Sequence, residues 1–262
     1  MNALDALDGV PKIPSGALEP PRGVDLWCFF YEDHLTRARR AAYDALLTEG
    51  ERARHQRFMF ERDRDLFLAT RALVRATLSR YADVAPEEWR FERTEHGKPY
   101  LVGPTDAPRL HFNLSNTYGL VACAVSSELE SVGVDVENTT RGTDAIEIAD
   151  RFFSELEVAA LHALPEARHQ ERFFSYWTLK ESYIKARGLG LAIPLGHFSF
   201  LIEEARPIRI RFDPRLEDDP ERWRFRLFRA SERHTLAVGA ATENMELALR
   251  WSRTVPLGGA SP

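Results

Sequence analysis

Two hydrophobic periods run along the chain and together predict helices and strands in mixed order. Leu66, Leu73, Val74 and Leu78 recur at helical spacing, which predicts a helix over residues 63–81. Further helices are predicted over residues 36–54 and 166–186. Short apolar runs predict strands over residues 24–30, 89–91, 111–115, 119–126, 131–137, 198–202, 207–212, 223–228, 234–240 and 247–251. Helices that cover one side of mainly antiparallel sheets make the predicted fold class α+β.

Segments without such periodicity lie at both ends of the chain. Residues 1–23 contain several prolines and glycines and are predicted to form a flexible N-terminal arm. Residues 254–262 are predicted to form a disordered tail. Between these ends, Ser154 and Glu157 have the spacing of a capping box, in which the serine caps the free amides of a helix and the glutamate reaches back. We therefore expect a further helix to begin directly after Ser154.

Composition restricts the classes of function. The 262 residues carry a net charge of −5, which argues against general nucleic-acid binding, because such binding usually needs a basic surface. No run approaches the roughly 18 apolar residues of a membrane span, and the first residues lack the features of a signal peptide. Cys28 and Cys123 lie in apolar runs without a C-x-x-C pair. This predicts buried free thiols and a cytoplasmic protein without a membrane or nucleic-acid partner.

The strand predicted over residues 131–137 carries two carboxylates. Asp135 and Glu137 are two residues apart, so they share one face of a strand, while the valines of the run point the other way. Carboxylate oxygens at this spacing suit a hard cation such as Mg²⁺. The alternative is an ordinary amphipathic strand whose polar face lies in water.

The long helix predicted over residues 166–186 carries a second charged group. Glu181 and Lys185 are neighbours on one helical face, and Trp177 lies four residues before Glu181 on the same side. A carboxylate beside aromatic surface could complete a metal site or accept a proton from a hydroxyl, and the lysine could neutralise phosphate. The alternative is a common ion pair on the surface of the helix.

Three smaller features have the chemistry of phosphate binding. The run 113–117 offers short polar side chains and turn amides, and the alternative is a polar turn that bonds its own backbone. Arg71 and Arg75 share one helical face, where solvated charges are the alternative. Lys98 lies in a turn between Gly97 and Pro99 and could hold a charged ligand.

Taken in order, these motifs resemble the phosphopantetheinyl transferase family. The specific part is the pair Gly133-Val134-Asp135-Val136-Glu137 and Trp177-x-x-Lys180-Glu181-x-x-x-Lys185, about forty residues apart. The resemblance covers roughly residues 24 to 202. It is to the large two-lobed, surfactin-synthetase-activating type, which activates peptide and polyketide synthetases.

The resemblance implies an architecture of two pseudo-symmetric lobes in a monomer, with coenzyme A in the cleft between them. The lobes are expected over residues 24–127 and 128–253.

The resemblance also supplies roles for the site residues. Asp135, Glu137 and Glu181 would bind Mg²⁺, and Glu181 would act as metal ligand, general base or both. Lys180 and Lys185 would face the pyrophosphate. Arg71, Lys98 and Ser115 would hold the 3′-phosphate and adenine. Asn116 follows the loop serine where many members have histidine, and asparagine can donate a hydrogen bond but carries no charge.

The function implied by the resemblance is Mg²⁺-dependent transfer of 4′-phosphopantetheine from coenzyme A to a serine of an apo acyl or peptidyl carrier protein. Such carriers serve fatty acid, polyketide or nonribosomal peptide synthesis. The alternatives are a Mg²⁺-dependent phosphohydrolase and a non-catalytic coenzyme A-binding protein on the same fold. Residues 139–153, with Arg141 and Arg151, are the candidate surface for an acidic carrier protein, and an ordinary connecting loop and helix is the alternative.

Overall fold

The computed structural model describes residues 4–204 and 206–258, and these fold into helices and strands in mixed order. The helices are α1 (Arg37–Ala45), α2 (Glu49–Arg57), α3 (Glu61–Leu78), α4 (Ala145–Phe152), α5 (Glu155–His162) and α6 (His169–Arg187). The strands are β1 (Asp5–Ala6), β2 (Val24–Phe29), β3 (Arg90–Arg93), β4 (Pro99–Gly103), β5 (His111–Thr117), β6 (Leu120–Ser126), β7 (Val132–Asn138), β8 (Phe198–Leu201), β9 (Arg209–Phe212), β10 (Trp223–Ser231), β11 (His234–Ala241) and β12 (Leu249–Arg253). The predicted α+β class is confirmed.

The chain divides into two compact units, and each is discontinuous in sequence. What we call the N-terminal unit comprises the described residues of 10–95, 99–130 and 248–258. Its four-stranded sheet has the order β12-β2-β6-β5. Strand β12 was predicted to belong to the second lobe, but it pairs in parallel with β2, with Trp251 opposite Leu26. Helix α3 covers this sheet and buries Leu73, Val74 and Leu78 completely.

The C-terminal unit comprises the described residues of 4–9, 96–98 and 131–247. Its sheet has the order β1-β10-β11-β7, and helix α6 packs on β7 and β11. Pairing of β11 with both neighbours is antiparallel. The core between helix and sheet is rich in aromatic side chains, which include Phe173, Phe174, Tyr183, Phe198 and Phe200.

The helix predicted over residues 36–54 is two helices instead. Thr48 interrupts it, because its hydroxyl accepts a hydrogen bond from the Glu51 amide while the Glu51 carboxylate accepts from the Thr48 amide. Threonine side chains compete in this way with the helical backbone. The predicted capping box at Ser154 and Glu157 is confirmed at the start of α5.

The described residues of both predicted loose ends make contacts with the rest of the chain. Strand β1 pairs in parallel with β10, and Leu7 and Ile13 are buried. At the other end, the Thr254 amide donates to the Cys28 carbonyl at 2.9 Å, and Tyr43 donates to the Pro256 carbonyl at 3.0 Å. Single buried apolar residues such as Leu7 and Ile13 anchor the N-terminal segment, and single residues produce no periodic pattern in the sequence. Residues 1–3 and 259–262 lie outside the described part.

Two further expectations concern the chain as a whole. Cys28 and Cys123 are buried free thiols, as predicted, and burial raises the pKa of Cys28 to about 12. Among the described residues, each helix is too short or too polar to span a bilayer.

Candidate active site

Strand β7 and helix α6 approach each other closely at Gly133. A Cβ atom at this position would lie 2.0 Å from the Ser182 carbonyl oxygen and 2.6 Å from the Ala186 amide nitrogen. Real Cβ atoms do not approach backbone so closely, so only glycine allows this contact. Because side chains alternate along a strand, Asp135 and Glu137 share the face of Gly133 and point toward α6.

Both carboxylates of β7 are buried. All seven residues of the strand are buried, and Asp135 and Glu137 are 3% and 9% exposed. The alternative of an amphipathic strand with its polar face in water is therefore wrong. Buried carboxylates need partners, because desolvation of an ionised group costs several kcal/mol.

Glu137 has partners on two sides. The Trp177 indole donates to its Oε1 at 2.9 Å, and the Arg141 guanidinium lies 3.0 Å from its Oε2. Burial, reinforced by the charge of Asp135, nevertheless raises the pKa of Glu137 to about 7. This carboxylate is thus poorly compensated and would gain from a further cation.

Asp135 pairs with the motif lysine of α6. Lys185 Nζ lies 2.7 Å from Asp135 Oδ1, so the lysine reaches from helix to strand and is not confined to a surface pair. Glu181 of α6 is half-buried, close enough to Asp135 and Lys185 to feel their charges. Its pKa is raised by burial and then by the charge of Asp135, while Lys185 opposes the shift. Asp135, Glu137, Glu181 and Lys185 are therefore electrostatic neighbours.

The donor set fits a magnesium ion in kind. Three desolvated carboxylates meet the two cations Lys185 and Arg141, and Mg²⁺ prefers carboxylate oxygens. The described residues nevertheless contain no group of three His, Cys, Asp or Glu side chains close enough to hold a metal ion. Lys185 pairs with Asp135 and Arg141 with Glu137, so these two ion pairs would have to rearrange for a metal to bind.

The structure does not support the expectation that Lys180 faces the pyrophosphate. Lys180 is fully buried, and its ammonium lies 2.7 Å from Glu157 Oε2 and donates to the carbonyls of Leu195 and Phe198 at 2.7 and 2.6 Å. A lysine has three donors, and these partners occupy all three. Burial lowers the pKa of Lys180. Its role is to join α5, α6 and the start of β8.

Lys98 belongs to the C-terminal unit and lies at the end of α6. Its ammonium donates to the Ala186 carbonyl at 2.9 Å, and its side chain packs over Gly188, which ends the helix with a positive φ of 69°. A cation is favourable at a helix C-terminus. Burial lowers the pKa of Lys98.

Arg71 and Arg75 belong to the N-terminal unit and are not solvated surface charges. Arg75 is 1% exposed and donates to Glu51 Oε2 and to the Trp89 carbonyl, both at 2.7 Å. Arg71 Nε lies 3.4 Å from Glu51 Oε1. Both arginines line a cavity of about 440 Å³. Its charged lining consists of Arg54, Arg71, Arg75, Arg90 and Arg93 with Glu51 and Glu92.

Ser115 and Asn116 also lie in the N-terminal unit, in β5. Residues 113–117 pair along β6, so the expected phosphate-binding turn is a strand, and the chain reverses only at Gly119 with its positive φ of 92°. Ser115 is buried. Asn116 points to the exposed face and donates to the Thr70 hydroxyl at 3.2 Å.

Sequence reasoning missed several partners at these sites. Glu51 balances the two arginines of α3, Glu157 holds Lys180, and Arg141 pairs with Glu137. The capping-box spacing predicted a local role for Glu157. The same spacing at Thr48 and Glu51 could have predicted one for Glu51. Their long-range partners depend on how the helices pack.

Family comparisons follow the two motif-bearing parts of the chain. Residues 36–128 match the model described as 4′-phosphopantetheinyl transferase, N-terminal, and residues 131–241 match the 4′-phosphopantetheinyl transferase superfamily. The chain is 35% identical to the 4′-phosphopantetheinyl transferase HetI of Nostoc sp. over 65% of this chain and 71% of that protein. It is 33% identical to a 4′-phosphopantetheinyl transferase of Bacillus subtilis over 75% of this chain and 83% of that protein. It is 30% identical to Sfp of the same species over 71% and 80%. The resemblance drawn from the motifs is confirmed, and the chain belongs to the 4′-phosphopantetheinyl transferase family.

Proposed function

We propose that this protein transfers 4′-phosphopantetheine from coenzyme A to a serine of an apo acyl or peptidyl carrier protein, with Mg²⁺ as cofactor. The observation that carries the proposal is the meeting of Asp135, Glu137 and Glu181 with Lys185 on the two motif segments of one unit. Family membership supplies the reaction class. Location in the cytoplasm and a monomeric state stay predictions.

The reaction is an in-line phosphoryl transfer. The serine oxygen forms a bond to the β-phosphorus of coenzyme A, the bond from that phosphorus to the bridging oxygen breaks, and 3′,5′-adenosine diphosphate leaves. Such reactions depend on positioning and charge neutralisation more than on covalent chemistry. Bound Mg²⁺, held by Asp135, Glu137 and Glu181, would neutralise charge on the phosphate oxygens.

Glu181 is the proposed acceptor of the serine proton. Its raised pKa makes it a stronger base than an exposed glutamate, and half-burial leaves it accessible. Lys185 is the proposed pyrophosphate ligand. It pairs with Asp135 in this structure, and its side chain is 27% exposed, so it can turn from that carboxylate to an incoming phosphate.

The arginine-lined cavity of the N-terminal unit is the proposed site for the nucleotide end of coenzyme A. Arg71 has an Nε–H without a hydrogen-bond acceptor, although this nitrogen is buried. A 3′-phosphate would supply the acceptor, and Phe67 and Phe91 in the same lining offer apolar surface for adenine. Lys98, Ser115 and Asn116 stay proposed ligands of coenzyme A. Lys180 is no longer proposed as a pyrophosphate ligand, because its three donors are satisfied within the protein.

The surface over residues 139–153 is the proposed docking site for the carrier protein. Arg141 and Arg151 supply positive charge, and Phe152 at the end of α4 is 46% exposed. An exposed aromatic residue beside cations is typical of a protein interface. The exposed ring of Phe152 would receive an apolar side chain of the carrier.

The decisive experiment is intact-mass spectrometry of apo carrier proteins after incubation with this protein, coenzyme A and Mg²⁺. A gain of roughly 340 Da, the mass of one phosphopantetheine attached as a serine phosphodiester, is expected, and EDTA should abolish it. Consumption of coenzyme A without carrier modification would favour the hydrolase, and binding of coenzyme A without turnover would favour the binding protein.

Two site variants test the assigned roles. Glu181→Gln and Asp135→Ala are each expected to lower the transfer rate by at least about 100-fold while the circular dichroism spectrum stays unchanged. Wild-type rates in either variant would overturn the assignment of the site.

A further inference from the structure

Glu137 is held by two side chains that differ in mobility. Trp177 belongs to α6, is partly buried against the core and stacks on Phe173, with ring centroids 5.8 Å apart, so the helix and this stacking restrain its indole. Arg141 lies in the connection between β7 and α4, outside regular structure, and its side chain is 48% exposed. The Trp177 indole is therefore the restrained partner of this carboxylate, and the Arg141 guanidinium is the one that can move away into solvent.

The guanidinium of Arg141 has little else to hold it. It lies 5.4 Å from the centre of the Phe174 ring and 3.0 Å from Glu137 Oε2. Its backbone carbonyl accepts from the Gln170 amide at 3.4 Å, which restrains the loop but not the side chain. A half-exposed ion pair of this kind contributes about 0.5–1 kcal/mol, so release of Arg141 into water is inexpensive.

We propose that Arg141 is an exchangeable counter-ion of Glu137, which pairs with the carboxylate in the metal-free protein and swings into solvent when a divalent cation takes its place. This inference rests on the proposed Mg²⁺-dependent function and adds a specific determinant of metal affinity. Trp177 already donates to Oε1 of Glu137, so a cation held by this carboxylate would compete with Arg141, and the two positive charges would repel each other. Arg141 consequently weakens Mg²⁺ binding by the free energy of the pair that has to be broken.

The test is isothermal titration calorimetry of Mg²⁺ into the full chain, without coenzyme A or carrier protein. Arg141→Gln is expected to bind Mg²⁺ about 2- to 5-fold more tightly than the wild type, which is the fold-change equivalent of the half-exposed pair. Arg206→Gln is the matched control. It breaks another arginine–glutamate pair of the same unit, Arg206 with Glu203, and changes the net charge equally. Its Mg²⁺ affinity should equal that of the wild type.

The same Arg141→Gln change made in a Glu137→Gln protein separates a specific exchange of Arg141 for Mg²⁺ from a general effect of net charge. In Glu137→Gln the pair is absent, so Arg141→Gln should no longer change the Mg²⁺ affinity. An equal gain in both backgrounds, or in Arg206→Gln, would overturn the proposal, as would unchanged or weaker binding in Arg141→Gln alone. If no variant and no wild type binds Mg²⁺, the proposed metal site fails, and the exchange fails with it. Binding of equal strength in wild type and Arg141→Gln would overturn the exchange and leave the metal site standing.

Discussion

Two lysines of helix α6, five residues apart, meet opposite surroundings. Lys180 is fully buried, and the Glu157 carboxylate and two carbonyls take its three donors. Lys185 is 27% exposed and pairs with the buried carboxylate of Asp135. One face of the helix thus holds a fully satisfied buried lysine, and the other carries the proposed phosphate ligand.

The difference shows what separates a structural cation from a functional one. A lysine whose donors are all satisfied by the protein has none left for a phosphate, and moving it would leave Glu157 as an unpaired buried charge. Lys185 keeps contact with solvent, so its present partner can be replaced. The same motif therefore contains a lysine that joins the helix to its neighbours and a lysine that is proposed to bind the substrate.

Removal of each lysine tests this division and should give the largest effect. Lys180→Met is expected to lower the free energy of unfolding by about 3–5 kcal/mol, because Glu157 is left buried and unpaired. Lys185→Met is expected to cost less, about 1–2 kcal/mol, because water can reach the partly exposed position that the lysine leaves beside Asp135. It should nevertheless slow phosphopantetheine transfer by at least about ten-fold. Urea unfolding followed by circular dichroism measures the first quantity, and carrier-protein mass measures the second.

Lys180→Met combined with Glu157→Gln is the control for the buried pair. Removal of both charges should recover part of the lost stability. If Lys185→Met is the more destabilising of the two single variants, the proposed division between the faces is wrong.

Ionisation of Glu137 should destabilise the metal-free protein as pH rises. Burial raises the pKa of Glu137 from 4.5 to about 7. A group with a raised folded pKa contributes stability that is fully present below its unfolded pKa and is lost as pH rises through its folded pKa. The shift corresponds to roughly 3 kcal/mol, lost between about pH 4.5 and pH 8.

Glu137→Gln removes this titration and serves as the comparison. Unfolding in EDTA at pH 5 and pH 8 should show the variant gaining about 2.5 kcal/mol on the wild type between the two values. A constant difference would mean that Glu137 is not desolvated. The buried pair of Lys180 and Glu157 should be unaffected by this variant.

A smaller loss of stability is expected when the close contact between Gly133 of β7 and helix α6 is disturbed. Gly133→Ala places a methyl group 2.0 Å from the Ser182 carbonyl, which should cost about 1–3 kcal/mol and separate α6 from β7. Gly142→Ala, in the same unit with no atom within 4 Å of the added Cβ, is the matched control and should be nearly neutral. Thermal unfolding of both variants measures the difference, and equal melting temperatures would contradict the role given to Gly133.

Local patterns predicted the elements that carry the site. The period-two run of 131–137 became β7, and the helical stretch before Gly188 became α6, with the glycine at its end. The spacing in each motif was enough to place Asp135 with Glu137 on one face and Glu181 with Lys185 on another. These predictions rest on fixed backbone periods, which any sequence reveals.

Contacts between distant segments were beyond such patterns. The pairing of β12 with β2, the burial of Leu7 and Ile13, and the break at Thr48 each depend on partners or competing hydrogen bonds that periodicity does not encode. The family resemblance implied a pyrophosphate role for Lys180, the neighbour of Glu181 in the motif. Adjacent residues on a helix point about 100° apart, so sequence neighbours face different surroundings.

The sequence by itself determined the family, the α+β class and the identity of the three carboxylates and the lysine opposite them, because motifs and periods are local properties. Only the tertiary structure decided which charged side chains are buried and which remain accessible to solvent. Burial of Lys180 beside Glu157 follows from packing of α6 against α5 and the start of β8. The raised pKa of Glu137 follows from packing of α6 on β7. Desolvation and Coulomb energy depend on distance through space, and the fold sets that distance.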